Sequence, residues 1–441
     1  GKEIDIAGDS VKAVKTKGLD TSYAFEYSLG KAETFTLLMP NAFGGGSYAR
    51  FDEGTKIAKK LIDKGIPEAD SEQVAQNMPK YWGKIFTAGP AYLGVIIFLL
   101  GVLGFVIVKT PLRWGLLAAT VLGILMTWGK NFAGFNVFLF ENLPLYNKFR
   151  APSFAQVIPQ LTMGIMAAIT LQHILFAEKS KEFLQKNFKP ILYTMGGVFG
   201  LLALIYIGMD YSSAVDKEII TGYTDKNGSD EMGRLIVSGL KAERKALFGG
   251  QILRALGLAL LAAITLYLFA KNKIKAVIAA IVLLIISTLD ITISSYKYFN
   301  NDNDQYAERK ENEKLFVSAD DYASTNFSPD AIEKQILQDK DPNYRVFNMA
   351  GTSGGSTFNE SRTSYFMKSV GGYHPAKLRI YQDVIEKYLS DRPSPSVLNM
   401  LNTRYIVVAD PETRQPGLIK NPDALGNCWL VKNVKIVEDR V

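Results

Sequence analysis

Cysteine and histidine are scarce in this sequence of 441 residues, which contains one cysteine, Cys428, and two histidines, His173 and His374. A single cysteine excludes an internal disulfide, and isolated histidines without neighbouring Cys or acidic clusters lack the spacing of a metal site. Phosphate-binding loops, Ser/His/Asp patterns and dinucleotide fingerprints are also missing from the right contexts. The sequence therefore identifies no metal site and no cofactor, and leaves open whether a divalent metal is needed.

Long apolar runs are what the sequence does contain. Hydrophobic residues make up 48% of the chain and charged residues 21%, yet charge is almost absent from six stretches. A helix needs about 20 apolar residues to cross the hydrocarbon core, and soluble cores seldom contain so many unbroken runs. We predict an α-helical polytopic membrane protein whose six transmembrane helices cover about 85–108, 111–128, 151–177, 190–209, 248–270 and 276–296.

The loops between these runs differ in charge. Segments 109–113, 178–189 and 271–275 hold nine Lys and Arg in 22 residues, whereas segment 129–150 holds three in the same length. The positive-inside rule places the basic segments in the cytoplasm. Residues 1–83 would then be an extracytoplasmic segment, 84–296 the transmembrane domain, and 297–441 an extracytoplasmic α+β domain. Because the net charge of +7 is largely this topology signal, no nucleic-acid partner is predicted.

Local patterns predict the elements outside the apolar runs. We expect a strand over Glu33–Met39 and a surface helix and loop over 54–80. In the C-terminal domain we expect helices over Ala331–Asp339 and Pro375–Leu389, strands over Tyr344–Met349, Arg404–Val408 and Cys428–Val437, and a flexible loop over Gly351–Gly355. The chain starts without an initiator Met and ends on a strand-like run, so we expect a truncated C-terminal domain and a fragment of a longer protein.

Segment 128–153 mixes aromatic and basic residues in a way that is typical of an interface above a membrane. Phe132, Phe135, Phe138 and Leu139 recur at helical spacing, which predicts a short helix lying flat at the headgroup level and ending at Pro144. The cations Lys130, Lys148 and Arg150 would face a lipid phosphate there. Ordinary headgroup anchoring explains these cations equally well.

Two charges interrupt the apolar runs. Arg254 and Asp290 are each about six residues, or roughly 9 Å, from the same predicted outer surface, so an intramembrane pair between them is expected. Such a pair is either a functional site or, as the more favoured interpretation, a structural lock between helices. His173 is interpreted as a packing residue.

A glycine-rich loop before a predicted helix carries His374. Lys368, Tyr373 and Arg379 flank it, and an anion would fit at that helix N-terminus. A simple turn is an equal alternative.

Six motifs in order resemble one family. They are Tyr23–Thr34, Leu38–Gly45, Tyr81–Lys84 together with Phe86–Tyr92 as one motif, Leu143–Ser153, Lys368–His374 and Leu398–Tyr405. Together they resemble the YfhO family of bacterial membrane proteins, in the version typical of Bacteroidota. The resemblance covers nearly the whole chain.

This resemblance implies a multi-pass protein of the bacterial inner membrane with the GT-C type of glycosyltransferase architecture. Such proteins transfer a sugar from a polyprenyl-phosphate carrier to an acceptor in the cell envelope, a glycan or glycolipid, on the outer face. The resemblance places the key acidic residue in a first outer loop, which would precede this sequence, so the catalytic residue stays unknown. Glu26, Glu33, Arg150 and Ser153 lie in matching motifs and are candidates for donor or acceptor binding.

Two other functions remain open from the sequence. A transporter or lipid flippase would need polar groups near the midplane and repeated halves with broken helices, neither of which is evident. A non-catalytic envelope scaffold would use the C-terminal domain, whose charges are nearly balanced, for protein contacts.

Overall fold

A computed structural model describes residues 19–224, 228–299, 316–350, 357–374, 377–390, 392–410 and 415–433. The chain divides into two compact units. We call Lys15–Phe316 the helical unit and Val317–Val441 the sheet unit. This boundary falls within 20 residues of the composition change that the sequence predicts at 297.

The helical unit contains twelve α-helices in its described part, joined by short 3-10 and π-helical turns. The α-helices are α1 (Thr21–Ala24), α2 (Lys56–Ile62), α3 (Glu68–Asn77), α4 (Val95–Ile107), α5 (Leu112–Thr127), α6 (Ala133–Asn142), α7 (Val157–Leu171), α8 (Ser180–Lys186), α9 (Phe188–Gly208), α10 (Asp216–Gly222), α11 (Glu231–Ala270) and α12 (Ala276–Tyr296). The 3-10 turns are Lys31–Leu37, Gly129–Phe132, Tyr146–Lys148 and Pro152–Gln156, and the π-helical turn is Gln172–Phe176.

Four helical stretches are long and apolar enough to cross a membrane, which confirms the prediction of several spans but not the number six. They are Pro152–Phe176, Phe188–Gly208, Glu231–Ala270 and Ala276–Tyr296. A fifth is present if α5 and the following stretch Gly129–Asn142, which are bent by 113°, count as one span. Only 6% of the apolar window in Phe188–Gly208 is buried within the chain, as expected for a helix that contacts lipid.

The predicted first span, 85–108, is too long. The helix begins only at Val95, because Gly94 before it adopts φ +96° and residues 84–94 are not helical. The 13 residues of α4 rise by roughly 20 Å, which is short of a hydrocarbon core of about 30 Å. Composition did not show this difference because apolar residues line both the helix and the extended segment before it.

The short helix predicted after the second run is present as α6. It ends at Asn142, just before Pro144. Its buried face consists of Asn136 and Phe140, and Phe140 packs edge-to-face on Phe25 with ring centroids 5.4 Å apart. Phe138 on the predicted lipid face is 60% exposed, so its side chain is available to an interface.

Helices α4, α5 and α7 pack through small residues. Gly104 lies against Thr170 so closely that a Cβ added to it would come within 2.0 Å of the Thr170 hydroxyl oxygen. Thr120 and Thr162 hydrogen-bond across α5 and α7 at 2.7 Å. Inside a bilayer the hydrophobic effect does not drive helices together. Close packing of small residues and hydrogen bonds between hydroxyl groups on neighbouring helices stabilise their association instead.

Helix α11 is longer than the predicted span 248–270 and already begins at Glu231. The helix is continuous over 40 residues. Its first part packs on α2, where Gly239 allows Ile57 to approach. One surface helix and a loop are expected over 54–80, and the structure has two helices there, α2 and α3, of which α2 buries Ile57, Ala58 and Leu61.

The strand predicted over Glu33–Met39 is wrong. Lys31–Leu37 is a 3-10 helix in which the Glu33 carboxylate accepts the Gly30 N–H at 2.6 Å and the Thr36 hydroxyl donates to the Glu33 carbonyl at 2.7 Å. Such local side-chain bonds offer the backbone an alternative to a sheet. Leu37, Leu38 and Met39 are all buried in succession, which an alternating strand with one exposed face would not allow.

The sheet unit contains a three-stranded sheet in the order β1 (Arg345–Asn348), β2 (Thr403–Ala409) and β3 (Pro416–Lys420). β1 pairs with β2 in parallel and β2 with β3 antiparallel, so the predicted α+β class is confirmed for the described part. Its helices are α13 (Ala319–Phe327), α14 (Ala331–Ile336), α15 (Arg362–Phe366), α16 (Arg379–Val384) and α17 (Pro395–Met400), with a π-helical turn over Ile385–Leu389.

Two of the three predicted strands in this unit are present. The third, Cys428–Val437, is wrong over 428–433, which is irregular, and its remainder lies outside the described residues, as does the predicted loop Gly351–Gly355. Helix α14 confirms the prediction over Ala331–Asp339 and begins with a capping box between Asp330 and Glu333. Strand β3 was not predicted.

Candidate functional site

A cavity of about 190 Å³ lies in the helical unit where the span Pro152–Phe176 begins. Most of its wall is apolar. The polar side chains that line it are Glu33, Thr36, Tyr81, Thr87, Ser153 and Gln156. Two of these, Glu33 and Ser153, are candidates from the sequence, and the fold brings them to one cavity although they are 120 positions apart.

Glu33 is 3% exposed and its carboxylate is held by three donors. Oε2 accepts the Gly30 N–H at 2.6 Å and the Lys84 N–H at 3.1 Å, and Oε1 accepts the Tyr81 hydroxyl at 2.7 Å. Burial and the neighbouring carboxylate raise the pKa of Tyr81 well above its ordinary value, which keeps the hydroxyl as a donor. A carboxylate has about four acceptor positions, so one position on Oε1 remains for a ligand.

The glycines around Glu33 explain how a carboxylate fits there. A Cβ added to Gly83 would come within 2.1 Å of Glu33 Oε1. Residues 81–84 therefore have to pass close to the carboxylate, and only glycine at position 83 allows it.

Arg150 does not line this cavity. Its Nη1 donates to the Tyr23 hydroxyl, and its guanidinium lies over the rings of Tyr23 and Tyr27 at 4.6 and 5.4 Å. Arg150 is connected to the cavity through Tyr27, because the Ser153 N–H donates to the Tyr27 carbonyl at 3.1 Å. Arg150 is thus an exposed, positioned cation next to the segment that carries Ser153.

The other candidates from the same segments are exposed and outside the cavity. Lys130 is exposed and its backbone N–H donates to the Ser28 hydroxyl at 3.0 Å. Lys148 and Glu26 are exposed as well. Lys130 contacts the segment Tyr23–Ser28 through its backbone N–H, whereas Arg150 contacts it through its guanidinium, so the shared phosphate site of the three cations stays a prediction.

The ion pair predicted between Arg254 and Asp290 is present. Arg254 Nη2 donates to Asp290 Oδ1, and also to the hydroxyls of Ser294 at 3.0 Å and Tyr92 at 3.2 Å. Asp290 is 4% exposed and its Oδ2 accepts the Tyr92 hydroxyl at 2.5 Å and the Val95 N–H at 3.0 Å. This carboxylate therefore caps the first turn of α4 as well as pairing with arginine.

The ion pair and the cavity share a segment. Residues 85, 87 and 89–91 line the cavity, and the next residue, Tyr92, bonds both Arg254 and Asp290. Tyr298 covers this segment, with its hydroxyl donating to Asn41 at 3.0 Å and its ring against Gly89. Sequence reasoning missed Tyr92 and Tyr81, although aromatic hydroxyls in a matching motif next to an apolar run were a usable signal.

Lys297 adds positive charge just beyond the end of α12. Burial lowers its pKa, and repulsion from Lys80 and Arg254 lowers it further. Both of these neighbours have acidic partners, since Lys80 Nζ lies 3.7 Å from Asp52 Oδ2 and Arg254 pairs with Asp290.

The grouping predicted around His374 is described only in part. Lys368 Nζ donates to the Pro342 carbonyl at 2.5 Å, His374 is exposed, and the side chain of Arg379 lies outside the described part. Helix α16 begins only at Arg379 and has six residues. Residues 375 and 376, directly after His374, lie outside the described part, so the anion site at this helix stays a prediction.

Metal-ligating residues are not grouped within the described ranges, where no set of three or more His, Cys, Asp or Glu side chains is placed to hold an ion. His173 packs on the ring of Phe183 with centroids 5.8 Å apart, and its Nδ1 lies 2.9 Å from the Ile169 carbonyl oxygen. These contacts agree with the predicted packing role.

No family model matches the chain, and no curated protein or solved structure matches it significantly, so the family resemblance of the motifs stays a prediction.

Proposed function

We propose that this protein is a membrane-embedded glycosyltransferase that moves a sugar from a polyprenyl-phosphate carrier to an envelope acceptor. The observation that carries the proposal is the cavity at the start of the span Pro152–Phe176, with Glu33 buried in its wall and Ser153 beside it. A carrier of this class needs an apolar path for its chain and a polar site at the level of the headgroups. The apolar spans and the cavity provide both.

Glu33 would act on the acceptor. A hydroxyl that attacks a sugar carbon has to lose its proton, and a carboxylate within hydrogen-bond distance accelerates that step by about 10²–10⁴-fold. The acceptor position left on Oε1 is suited to this contact. Arg150, exposed next to the segment that carries Ser153, would stabilise the phosphate that leaves with added negative charge.

The test is Glu33→Gln, assayed as turnover of glycosyl polyprenyl phosphate by membranes that contain the protein. Glutamine keeps the side-chain shape, and its carbonyl oxygen still accepts the N–H groups of Gly30 and Lys84. We expect transfer to fall by about 10²-fold or more, because the base is lost while the fold is kept.

Glu68→Gln is the control, because Glu68 is exposed on α3 and lies outside the cavity. Its turnover should stay at the parent level. A folded Glu33→Gln protein with parent turnover would refute the role of Glu33, and scrambling of carrier without sugar transfer would favour a flippase.

A further inference from the structure

A second and larger cavity lies at the other end of the same span. Its volume is about 820 Å³, within the range of about 300–1,000 Å³ that is typical of ligand sites. It lies between the connection 178–182 and the connection 272–276. The spans Pro152–Phe176 and Glu231–Ala270 end at this cavity and Ala276–Tyr296 begins there. Because three spans terminate at one level, the cavity lies where lipid headgroups would be.

Positive charge dominates the wall of this cavity. Four lysines line it, Lys179, Lys181, Lys273 and Lys275, against two acidic residues, Glu178 and Glu182. Lys179 and Glu182 pair at 3.8 Å. Within the described part of the chain, Lys181, Lys273 and Lys275 have no carboxylate within 4.0 Å. Three cations are thus left to attract an anion.

Lys181 is held in place at the cavity wall. Its Nζ donates to the Asn272 side-chain oxygen and lies 5.6 Å above the ring of Phe269. Helix α8 is itself anchored, because Leu184 is buried in the core beside Phe269 and Ile174. A lysine that is fixed in this way loses less side-chain freedom when it binds a ligand.

The floor of the cavity is apolar. Leu175 and Phe269 are each 3% exposed there, and Ile278 is 47% exposed on the adjoining surface of α12. A ligand with a charged head and a hydrocarbon tail matches this arrangement, since the head meets the lysines and the tail continues along α12 into the bilayer.

We propose that this cavity binds an anionic phospholipid, with its phosphate on Lys181, Lys273 and Lys275 and its acyl chains along Ile274 and Ile278. Basic pockets between transmembrane helices are suited to such headgroups, and a membrane is the source of lipid next to these spans. The proposal does not depend on the transferase activity.

Lipid titration followed by native mass spectrometry tests the proposal on delipidated protein in detergent. The titrants are phosphatidylglycerol and phosphatidylcholine with identical chains. We expect the anionic lipid to bind and Lys181→Gln/Lys273→Gln to weaken it about 30-fold, at about 1 kcal/mol for each lysine. Lys186→Gln/Lys189→Gln is the matched control, because both lysines are exposed at the same end of the helical unit and outside the cavity.

Three results would overturn the proposal. Equal binding of phosphatidylcholine would remove the role of charge, and equal loss in the control variant would show diffuse surface attraction. Displacement of the lipid by millimolar glycerol phosphate would show an anion site that needs no acyl chain. Thermal unfolding of each variant in detergent confirms that it is folded before its affinity is compared.

Discussion

Individual carboxylates in this protein hold backbone as well as side chains. Glu33 accepts two backbone N–H groups and Asp290 accepts the N–H that starts α4. In the sheet unit, Asp339 accepts the Asp341 N–H at 3.0 Å, the Tyr405 hydroxyl at 2.8 Å and Arg404 at 3.0 Å. Each of these carboxylates therefore stabilises a turn or the start of a helix, and it does so in its charged form.

Acid should loosen the sheet unit through Asp339 and Asp341. Backbone N–H donation and Tyr405 lower the pKa of Asp339 below the ordinary 3.8, and Arg404 lowers the pKa of Asp341. A carboxyl whose pKa is lower in the folded than in the unfolded chain stabilises the fold when the pH is above the unfolded-chain pKa. This stabilisation is lost as the pH falls through the folded-state pKa. We expect amide hydrogen exchange in β2, corrected for intrinsic rates, to accelerate below about pH 4.

Arg404→Gln should already show faster exchange at pH 7 and respond less to acid, because the guanidinium that favours both ionised acids is gone. Arg345→Gln on the neighbouring strand is the control, since its guanidinium contacts the Leu401 carbonyl instead. An acid response that is the same in Arg404→Gln and the parent would contradict this role of the pair.

At the scale of elements, the sequence predicts the apolar helices better than the segments between them. Apolar runs identify α9, α12 and the second half of α11, because a run of about 20 apolar residues has few structural alternatives to a transmembrane helix. The failures are Glu33–Met39 and 85–94, where side-chain caps and a positive φ at Gly94 decide the conformation. These are local hydrogen-bond and backbone effects that leave no mark on hydrophobicity.

The candidate site follows the same division. Equal depth in two apolar runs was enough to predict the Arg254–Asp290 pair, because helix geometry fixes depth. Sequence motifs named Glu33 and Ser153 but not their cavity, which depends on the irregular path of 81–92. Contacts between residues far apart in the sequence determine that path, and the spacing of residues along the chain does not predict such contacts.

Packing of α4 on α7 should depend on Gly104. In Gly104→Val, the new Cβ would overlap Thr170 Oγ1 at 2.0 Å and Met166 Cε at 2.8 Å. Overpacking of this kind costs about 1–3 kcal/mol, so the thermal midpoint in detergent should fall. Gly164→Val on α7 is the matched control, because a Cβ there meets nothing within 4 Å. Equal midpoints for the two variants would refute close packing at Gly104.

For the whole molecule, the number of crossings decides which segments share a side of the membrane. Four crossings leave the segments before the first and after the last span on one side, whereas a fifth through the bent pair separates them. Loop charge predicts that the sheet unit is extracytoplasmic. The orientation is therefore open to a direct labelling test.

Cys428 provides that test without engineering, because it is the single cysteine of the sequence and is exposed. We expect a membrane-impermeant thiol reagent to label it in intact spheroplasts. Lys179→Cys in a Cys428→Ser background is the control and should react only after permeabilisation, since 178–189 is predicted to be cytoplasmic. The reverse pattern would invert the topology and place the Glu33 cavity on the cytoplasmic side.

Helix α11 has a mechanical consequence. Its 40 residues extend roughly 60 Å, twice the hydrocarbon thickness of about 30 Å. Arg244, fully buried, binds Asp216 through two parallel bonds at 2.8 and 2.9 Å, and Arg254 follows about 15 Å further along the same axis. The backbone hydrogen bonds of the helix are continuous between the two arginines, so the helix transmits rotation about its axis. A rotation of the whole helix that reorients Arg254 would therefore also separate Arg244 from Asp216.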